Sequence, residues 1–221
     1  MTNPPKKNRE NATLAAVARE YDLEAARYDQ RWQTYVGQTT AHALERLRVH
    51  PNERLLDVGC GTGCLLAAVA ATRPDVHLYG IDLSPAMLDQ ARQRLGSYAM
   101  LQKASADRLP FSDGEFDQLV SVSTLHCLPD AGTVFEAMAR VLKPGGRLLI
   151  SDWCRESAYC RWLCRYLRIK GIYARALGVD TLIQLARRAG FMNIATERFQ
   201  VARRWPMLSL TARRADNNRP W

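Results

Sequence analysis

The 221-residue sequence predicts an α/β fold: a mostly parallel, seven-stranded sheet with helices on both faces and an antiparallel strand at its C-terminal edge. Three features predict it. Between residues 54 and 152, short β-rich runs alternate with helical patterns, the arrangement of strands joined by crossover helices. A glycine-punctuated turn follows the first of these strands. The chain then closes on two strands in succession, which can pair only as an antiparallel hairpin at a sheet edge.

In chain order, residues 1–11 contain Pro4-Pro5-Lys6-Lys7-Asn8 and nothing apolar to bury, so they read as a disordered leader. Apolar positions recur at helical spacing over Ala12–Ala26 (Leu14, Val17, Ala18, Tyr21, Ala25) and over Thr39–Leu47, before Pro51. Next come strand Arg54–Val58, helix Cys64–Thr72, strand Val76–Asp82 and helix Pro85–Leu95. Pro85 suits a helix start, where its missing N–H costs nothing, and Ser84 can cap that helix. Strands Ala99–Lys103 and Phe116–Val122, helix Thr133–Leu142 and a Pro144-Gly145-Gly146 turn lead to strand Arg147–Asp152. A helical, aromatic and arginine-rich stretch, Ser157–Leu177, precedes helix Asp180–Ala189, ended by Gly190. Strands near Asn193–Val201 and Met207–Arg213 complete one domain over residues 12–213, and 214–221 read as a disordered tail.

The net charge of +9 is local: residues 154–221 hold 14 Lys and Arg against 4 Asp and Glu, while the rest of the chain holds 17 against 18. That distribution points to a regional partner effect and not to a uniformly basic nucleic-acid binder. There is no apolar run of eighteen residues and no apolar segment in Met1–Glu10, so neither a membrane span nor a signal peptide is expected and the setting reads as cytoplasmic. Six scattered cysteines would there stay reduced, and Cys160 and Cys164, four apart on a helix, supply only two ligands, so no metal is expected.

In an open parallel sheet a ligand lies beyond the carboxyl end of the first strand, which places it at Gly59-Cys60-Gly61-Thr62-Gly63. Glycines there let a ligand press against bare backbone, and Asp57 at the strand end can accept hydrogen bonds from a cationic amine. A dinucleotide needs Gly-x-Gly-x-x-Gly, with a helix N-terminus facing a pyrophosphate; here Cys64 stands where its third glycine would be, which argues against a nicotinamide dehydrogenase. Asp82, ending the second strand, is placed to accept both hydroxyls of a ribose.

These segments, with Ala104–Phe111, Phe116–Leu128 and Arg140–Arg147, resemble the class I S-adenosylmethionine-dependent methyltransferases, particularly their small-molecule and lipid-quinone branch, over roughly residues 12–213. The resemblance implies a Rossmann-like fold in which Asp57, Gly59, Cys60, Gly61 and Gly63 hold the methionine end of S-adenosylmethionine. It further implies that Asp82 holds the ribose, Leu83 and Met87 flank the adenine beside Ala106, Asp107 accepts from the adenine amino group, and Ser121 approaches the methionine backbone. Tyr21-Asp22 and Tyr28-Asp29 resemble paired segments that fold over the cofactor and bring a ring, Tyr28 above all, beside the sulfonium. Residues 12–50 then become lid helices and 154–178 a substrate-side insertion. His126, after the fourth strand, is a candidate base, although transfer from so activated a donor often needs only positioning. The implied acceptor is a small organic or lipid-like molecule. The insertion's arginines and aromatics suit a lid over an acidic acceptor or contact with an anionic membrane. Two further readings are a nucleic-acid methyltransferase or binder recruited by the basic C-terminal third, against which stands the absence of an Asn/Asp-Pro-Pro-Tyr-type segment after the fourth strand, and a non-catalytic S-adenosylmethionine-binding protein. The oligomeric state and the atom methylated stay open.

Overall fold

A computed structural model describes residues 6–203 and 205–216. Five strands run parallel: β1 (Arg54–Val58), β2 (His77–Asp82), β3 (Ala99–Lys103), β4 (Phe116–Val122) and β5 (Leu142–Trp153). β6 (Phe191–Val201) and β7 (Trp205–Arg214) form an antiparallel pair, and β7 docks antiparallel on β5, giving the order β3-β2-β1-β4-β5-β7-β6. The chain leaves β1 toward one side of the sheet and returns at β4 on the other, so the crevice beyond the end of β1 is the topological switch point.

Strand alternation distributes the core between two faces. Leu55 packs with Ala43 of α3 (Gln33–Arg46), Leu66 of α4 (Cys64–Thr72) and Ala91 of α5 (Pro85–Leu95). Leu56 and Val58 instead join Phe135 of α6 (Ala131–Val141) and Leu182 of α8 (Val179–Arg188). A third cluster, including Tyr35, Trp153, Cys160 and Met207, seats α7 (Ala158–Ile169) at the β5–β7 side. Among the described residues no helix is long and apolar enough to cross a membrane.

The local punctuation behaves as its chemistry requires: Ser84 Oγ accepts from Met87 N at 3.1 Å with Pro85 in the first turn, and Asp130 caps α6 through Gly132 N. Several boundaries differ from the sequence reading. Residues 6–11, expected as leader, belong to α1 (Lys6–Glu24). The side chains of residues 7–11 are mostly exposed, and the segment extends a helix already held by buried Leu14 and Val17. α3 begins at Gln33 and not Thr39, because its buried stripe is Tyr35, Thr39, His42 and Ala43, whose polar members are bonded inside the protein: Thr39 Oγ1 donates to Tyr35 O at 2.9 Å and His42 Nε2 meets Ser209 Oγ at 2.7 Å. Pro144-Gly145-Gly146 is no free turn but a bulge within β5, whose pairing with β4 skips from Phe116↔Leu142 to Gln118↔Arg147. The helical stretch expected to Leu177 stops at Ile169, ahead of Gly171 at φ +78°. At the C-terminus, Arg214 still belongs to β7 and Ala215 N donates to Gly190 O at 2.9 Å, while 217–221 and 1–5 lie outside the described residues.

Candidate functional site

The loop from β1 into α4 opens onto a cavity of about 990 Å³ counted to its open mouth. The three glycines meet three different demands. A Cβ on Gly59 would sit 2.3 Å from Thr124 Oγ1, and one on Gly63 would sit 2.9 Å from Leu95 Cδ1 and 3.1 Å from Ala91 Cβ. Those two let the loop lie against its neighbours. Gly61, at φ +52°, has nothing within 4 Å of its would-be Cβ and keeps the cavity floor as bare backbone.

Two carboxylates face this space, and among the described residues they are the only charged side chains lining it. Asp82 Oδ2 accepts from Gly61 N and Oδ1 from Ser84 N, both at 2.9 Å, which holds the loop while leaving each oxygen a further lone pair. Burial raises its pKa, partly offset by those backbone N–H groups. Asp57 is 3% exposed and its Oδ1 has no hydrogen-bond partner; burial, together with the neighbouring Asp82, pushes its pKa up to about 8. An orphaned buried carboxylate oxygen beside a second carboxylate is complementary to an ammonium group, which would supply both the missing donors and the missing charge. The donor set thus fits the methionine amine and ribose of S-adenosylmethionine.

The roof comes from the N-terminal helices. Tyr21 in α1 and Tyr28, first residue of α2 (Tyr28–Arg31), line the cavity with ring centroids 6.1 Å apart. The aspartate after each tyrosine ties the roof to the floor. Asp22 accepts from Ser84 Oγ at 2.5 Å and Ala86 N at 3.2 Å; Asp29 accepts from Thr62 Oγ1 at 2.7 Å and pairs with Arg94. Burial first of all holds the hydroxyls of Tyr21, Tyr28 and Tyr35 well above the ordinary tyrosine range, so they act as donors and not as bases.

Of the residues expected from sequence, Tyr28, Asp57, Gly59, Cys60, Gly61, Asp82, Leu83, Met87 and Ala106 line the cavity, and Gly63, Asp107, Ser121 and His126 do not. Ser121 is buried and donates to Val58 O at 2.9 Å, joining β4 to β1 beneath the loop. Asp107 is occupied locally by Ser105 Oγ and Arg108. His126 is 5% exposed: its Nδ1 lies 2.8 Å from Asp152 Oδ1 and its ring stacks on Trp153 at 3.8 Å. Burial works against the charged ring, but Cys127 and Asp152 outweigh it and raise the pKa well above the usual histidine range. A ring that already holds its proton behind the wall is not placed to take one from an acceptor. His126→Asn should therefore lower Tm by several degrees, on the scale of a broken buried pair, while kcat stays within about threefold; a hundredfold fall in kcat at unchanged Tm would restore the base.

The sequence reading missed Tyr35, Thr39, Thr40, Ser123, Thr124 and Cys127 on the wall. Tyr35 OH lies 2.6 Å from Ser123 Oγ and accepts from Trp153 Nε1 at 3.0 Å, and Cys127 Sγ lies 3.3 Å from Tyr21 OH. A signal existed: Tyr21, Tyr28 and Tyr35 recur every seven residues, close to two helical turns. Among the described residues no group of three or more His, Cys, Asp or Glu is placed to hold a metal ion.

Residues 56–150 match the family model described as a methyltransferase domain. The chain is 31% identical over 164 residues to phosphoethanolamine N-methyltransferase 1 of Arabidopsis thaliana, covering 72% of this chain and 33% of that protein. It is 34% identical over 154 residues to O-methyltransferase resE of Aspergillus sclerotiorum, covering 66% of this chain and 57% of that protein. The chain thus spans about a third to somewhat over half the length of these curated relatives. A methyltransferase solved with the Haloferax volcanii Trm112 methyltransferase activator superposes with a TM-score of 0.78 at 22% identity, covering 89% of this chain and 98% of that one, a likeness of fold. In its strand order, its Gly-x-Gly-x-Gly loop and the methyltransferase domain matched over residues 56–150, the chain is similar to the class I S-adenosylmethionine-dependent methyltransferases.

Proposed function

We propose that this protein transfers a methyl group from S-adenosylmethionine to a small organic or lipid-like acceptor that carries no phosphate. The observation that carries the proposal is the division of one cavity into two chemical halves. Asp57, Gly61 and Asp82 form a polar, anionic floor suited to the amine and ribose, with Leu83, Met87 and Ala106 beside an adenine. The opposite wall is Val17, Ala18, Val36 and Leu128 with the hydroxyls of Tyr35, Thr39 and Thr40. No Arg or Lys stands among the described lining residues, so an acceptor phosphate or a nucleic-acid backbone would meet carboxylates without a compensating cation.

The bound cofactor would supply a methyl group on a sulfonium. The chain's own part is orientation and water exclusion: Asp22 and Asp29 hold the roof down, and the ring faces of Tyr21 and Tyr28 favour a cation in the space below them. The Tyr28 hydroxyl, held protonated, can fix an acceptor oxygen or nitrogen by donating to it.

Calorimetry tests the cofactor half. S-adenosylhomocysteine should bind and NAD should not, and Asp82→Ala should weaken S-adenosylhomocysteine by roughly 10- to 100-fold, the loss of charged hydrogen bonds to a ribose. Tight NAD binding with no response to S-adenosylhomocysteine would overturn the reading. For the acceptor, transfer of a labelled methyl group to extracts split into lipid, small polar, protein and nucleic-acid pools should label the lipid or small-molecule pool; label in nucleic acid would reject this acceptor class.

A further inference from the structure

Helix α7 has a wider apolar arc than the surface it covers. At about 100° per residue, Cys160, Leu163, Cys164 and Leu167 face the protein. Trp162, Tyr166 and Ile169 continue that arc along an adjoining stripe and are 59%, 44% and 76% exposed. The rings of Trp162 and Tyr166 stack at 5.6 Å, so the exposed surface is one continuous patch, with Lys170 Nζ over the Tyr166 ring at 5.8 Å.

The other flank of the stripe is cationic. Exposed Arg165 adjoins it, and Arg161 and Arg168 meet Arg155 and Arg175 around a surface depression whose other lining residues are Cys164 and Ala176. Among the described residues none of these four arginines forms an ion pair; Arg161 reaches only the carbonyls of Arg155 at 3.2 Å and Glu156 at 2.8 Å. Glu156 and Asp180 line a neighbouring depression shared with Arg155 and Arg161, but none of the residues lining this one is acidic, and guanidinium groups so gathered are complementary to a phosphate oxyanion.

We propose that this face seats the protein on an anionic phospholipid bilayer, with the arginine-rimmed depression taking lipid phosphate and Trp162, Tyr166 and Ile169 entering the headgroup–acyl boundary. The arrangement, a cationic flank beside an aromatic and aliphatic stripe along one helix, is that of an interfacial helix. A nucleic acid fits less well, because the two rings are stacked on each other and the most exposed member of the stripe, Ile169, is aliphatic. A second copy of the chain would bring the same unpaired arginines against themselves. The face also adjoins the cavity: Tyr159 of α7 packs on Trp205 at 5.7 Å, and Trp205 on the cavity-lining Tyr35 at 5.3 Å. Docking would therefore bring the acceptor end close to a bilayer. The inference does not depend on the transfer reading.

Co-sedimentation should show binding to vesicles of phosphatidylcholine and phosphatidylglycerol in equal parts, little binding to phosphatidylcholine alone, and release by salt. Arg168→Gln and Arg175→Gln should each weaken it about fivefold. Trp162→Ser with Tyr166→Ser should weaken it about tenfold or more, and quenching by brominated acyl chains should fall in Trp162→Phe. Arg168, Arg175 and Ile169 are exposed, whereas Trp162 also meets the Tyr159 and Tyr166 rings, so Ile169→Ser, the most exposed position of the stripe, stands in if the double variant loses Tm. S-adenosylhomocysteine affinity, measured on the same samples, separates failure of docking from failure of the cofactor reading. Equal binding to both vesicle types, unchanged binding by the variants, or displacement from vesicles by an RNA bound more tightly would each overturn the proposal.

Discussion

Asp57→Asn should make the ligand-free protein more stable at neutral pH while abolishing its response to S-adenosylhomocysteine. The side chain is fully enclosed, its Oδ1 has no partner, and burial with Asp82 nearby lifts its pKa from 3.8 to about 8. An acid raised in this way favours folding fully below the unfolded pKa, and that contribution is lost as the pH rises toward about 8. At pH 7 the side chain, ionised in the unfolded chain, must take up a proton on folding, which opposes folding by up to roughly 4 kcal/mol, a cost the isosteric amide does not carry. The variant should melt roughly 5–15 °C above wild type at pH 8 and converge with it below about pH 4. His126, whose raised pKa also ties stability to pH, is common to both proteins and cancels in the comparison. A saturating amine-bearing ligand should stabilise wild type by about 2–3 kcal/mol at a hundred times Kd and the variant hardly at all. Equal melting curves at pH 8 would mean that Asp57 is already compensated, and the cation-accepting floor would have to be given up.

Gly63→Ala and Gly61→Ala should separate folding from binding within one loop. At Gly63 the new methyl meets Leu95 and the backbone-bearing Ala91 while the residue keeps a left-handed φ of +78°, so conformational strain and overpacking add to about 2–5 kcal/mol and a Tm lower by roughly 5–15 °C. At Gly61 no atom lies within 4 Å of the methyl, and strain alone costs about 1–2 kcal/mol. That methyl would stand in the space a cofactor needs, so cofactor affinity should fall by at least tenfold with the fold intact. Comparable affinity losses at equal Tm for both variants would contradict the division of roles.

The cavity floor was legible because it depends on local chemistry. The bounds of β1, α4, α5, β3 and β4 coincide with the sequence reading, since each is a short β-rich run or a helical pattern and Ser84, Pro85 and the glycines punctuate them. α3 was partly hidden, because it buries Thr39 and His42, residues that carry no apolar signal until their hydrogen-bond partners are known. The opposite wall was harder still. In the turn Leu125–Cys127 it is Cys127 that faces the cavity, while His126 turns behind the wall to Asp152 and Trp153, a choice adjacent positions cannot announce.

What the sequence by itself determined is the alternating α/β order and the switch-point loop, whose Gly-x-Gly-x-Gly spacing departs from the dinucleotide pattern, all set by periodicity and by backbone conformations only glycine adopts readily. Only the tertiary structure decided that Asp22 and Asp29 latch the roof, that Asp57 stands uncompensated, and that Trp162, Tyr166 and Ile169 remain uncovered. Each of these depends on segments tens of residues apart meeting, or failing to meet, in space, and burial and charge pairing are properties of that meeting.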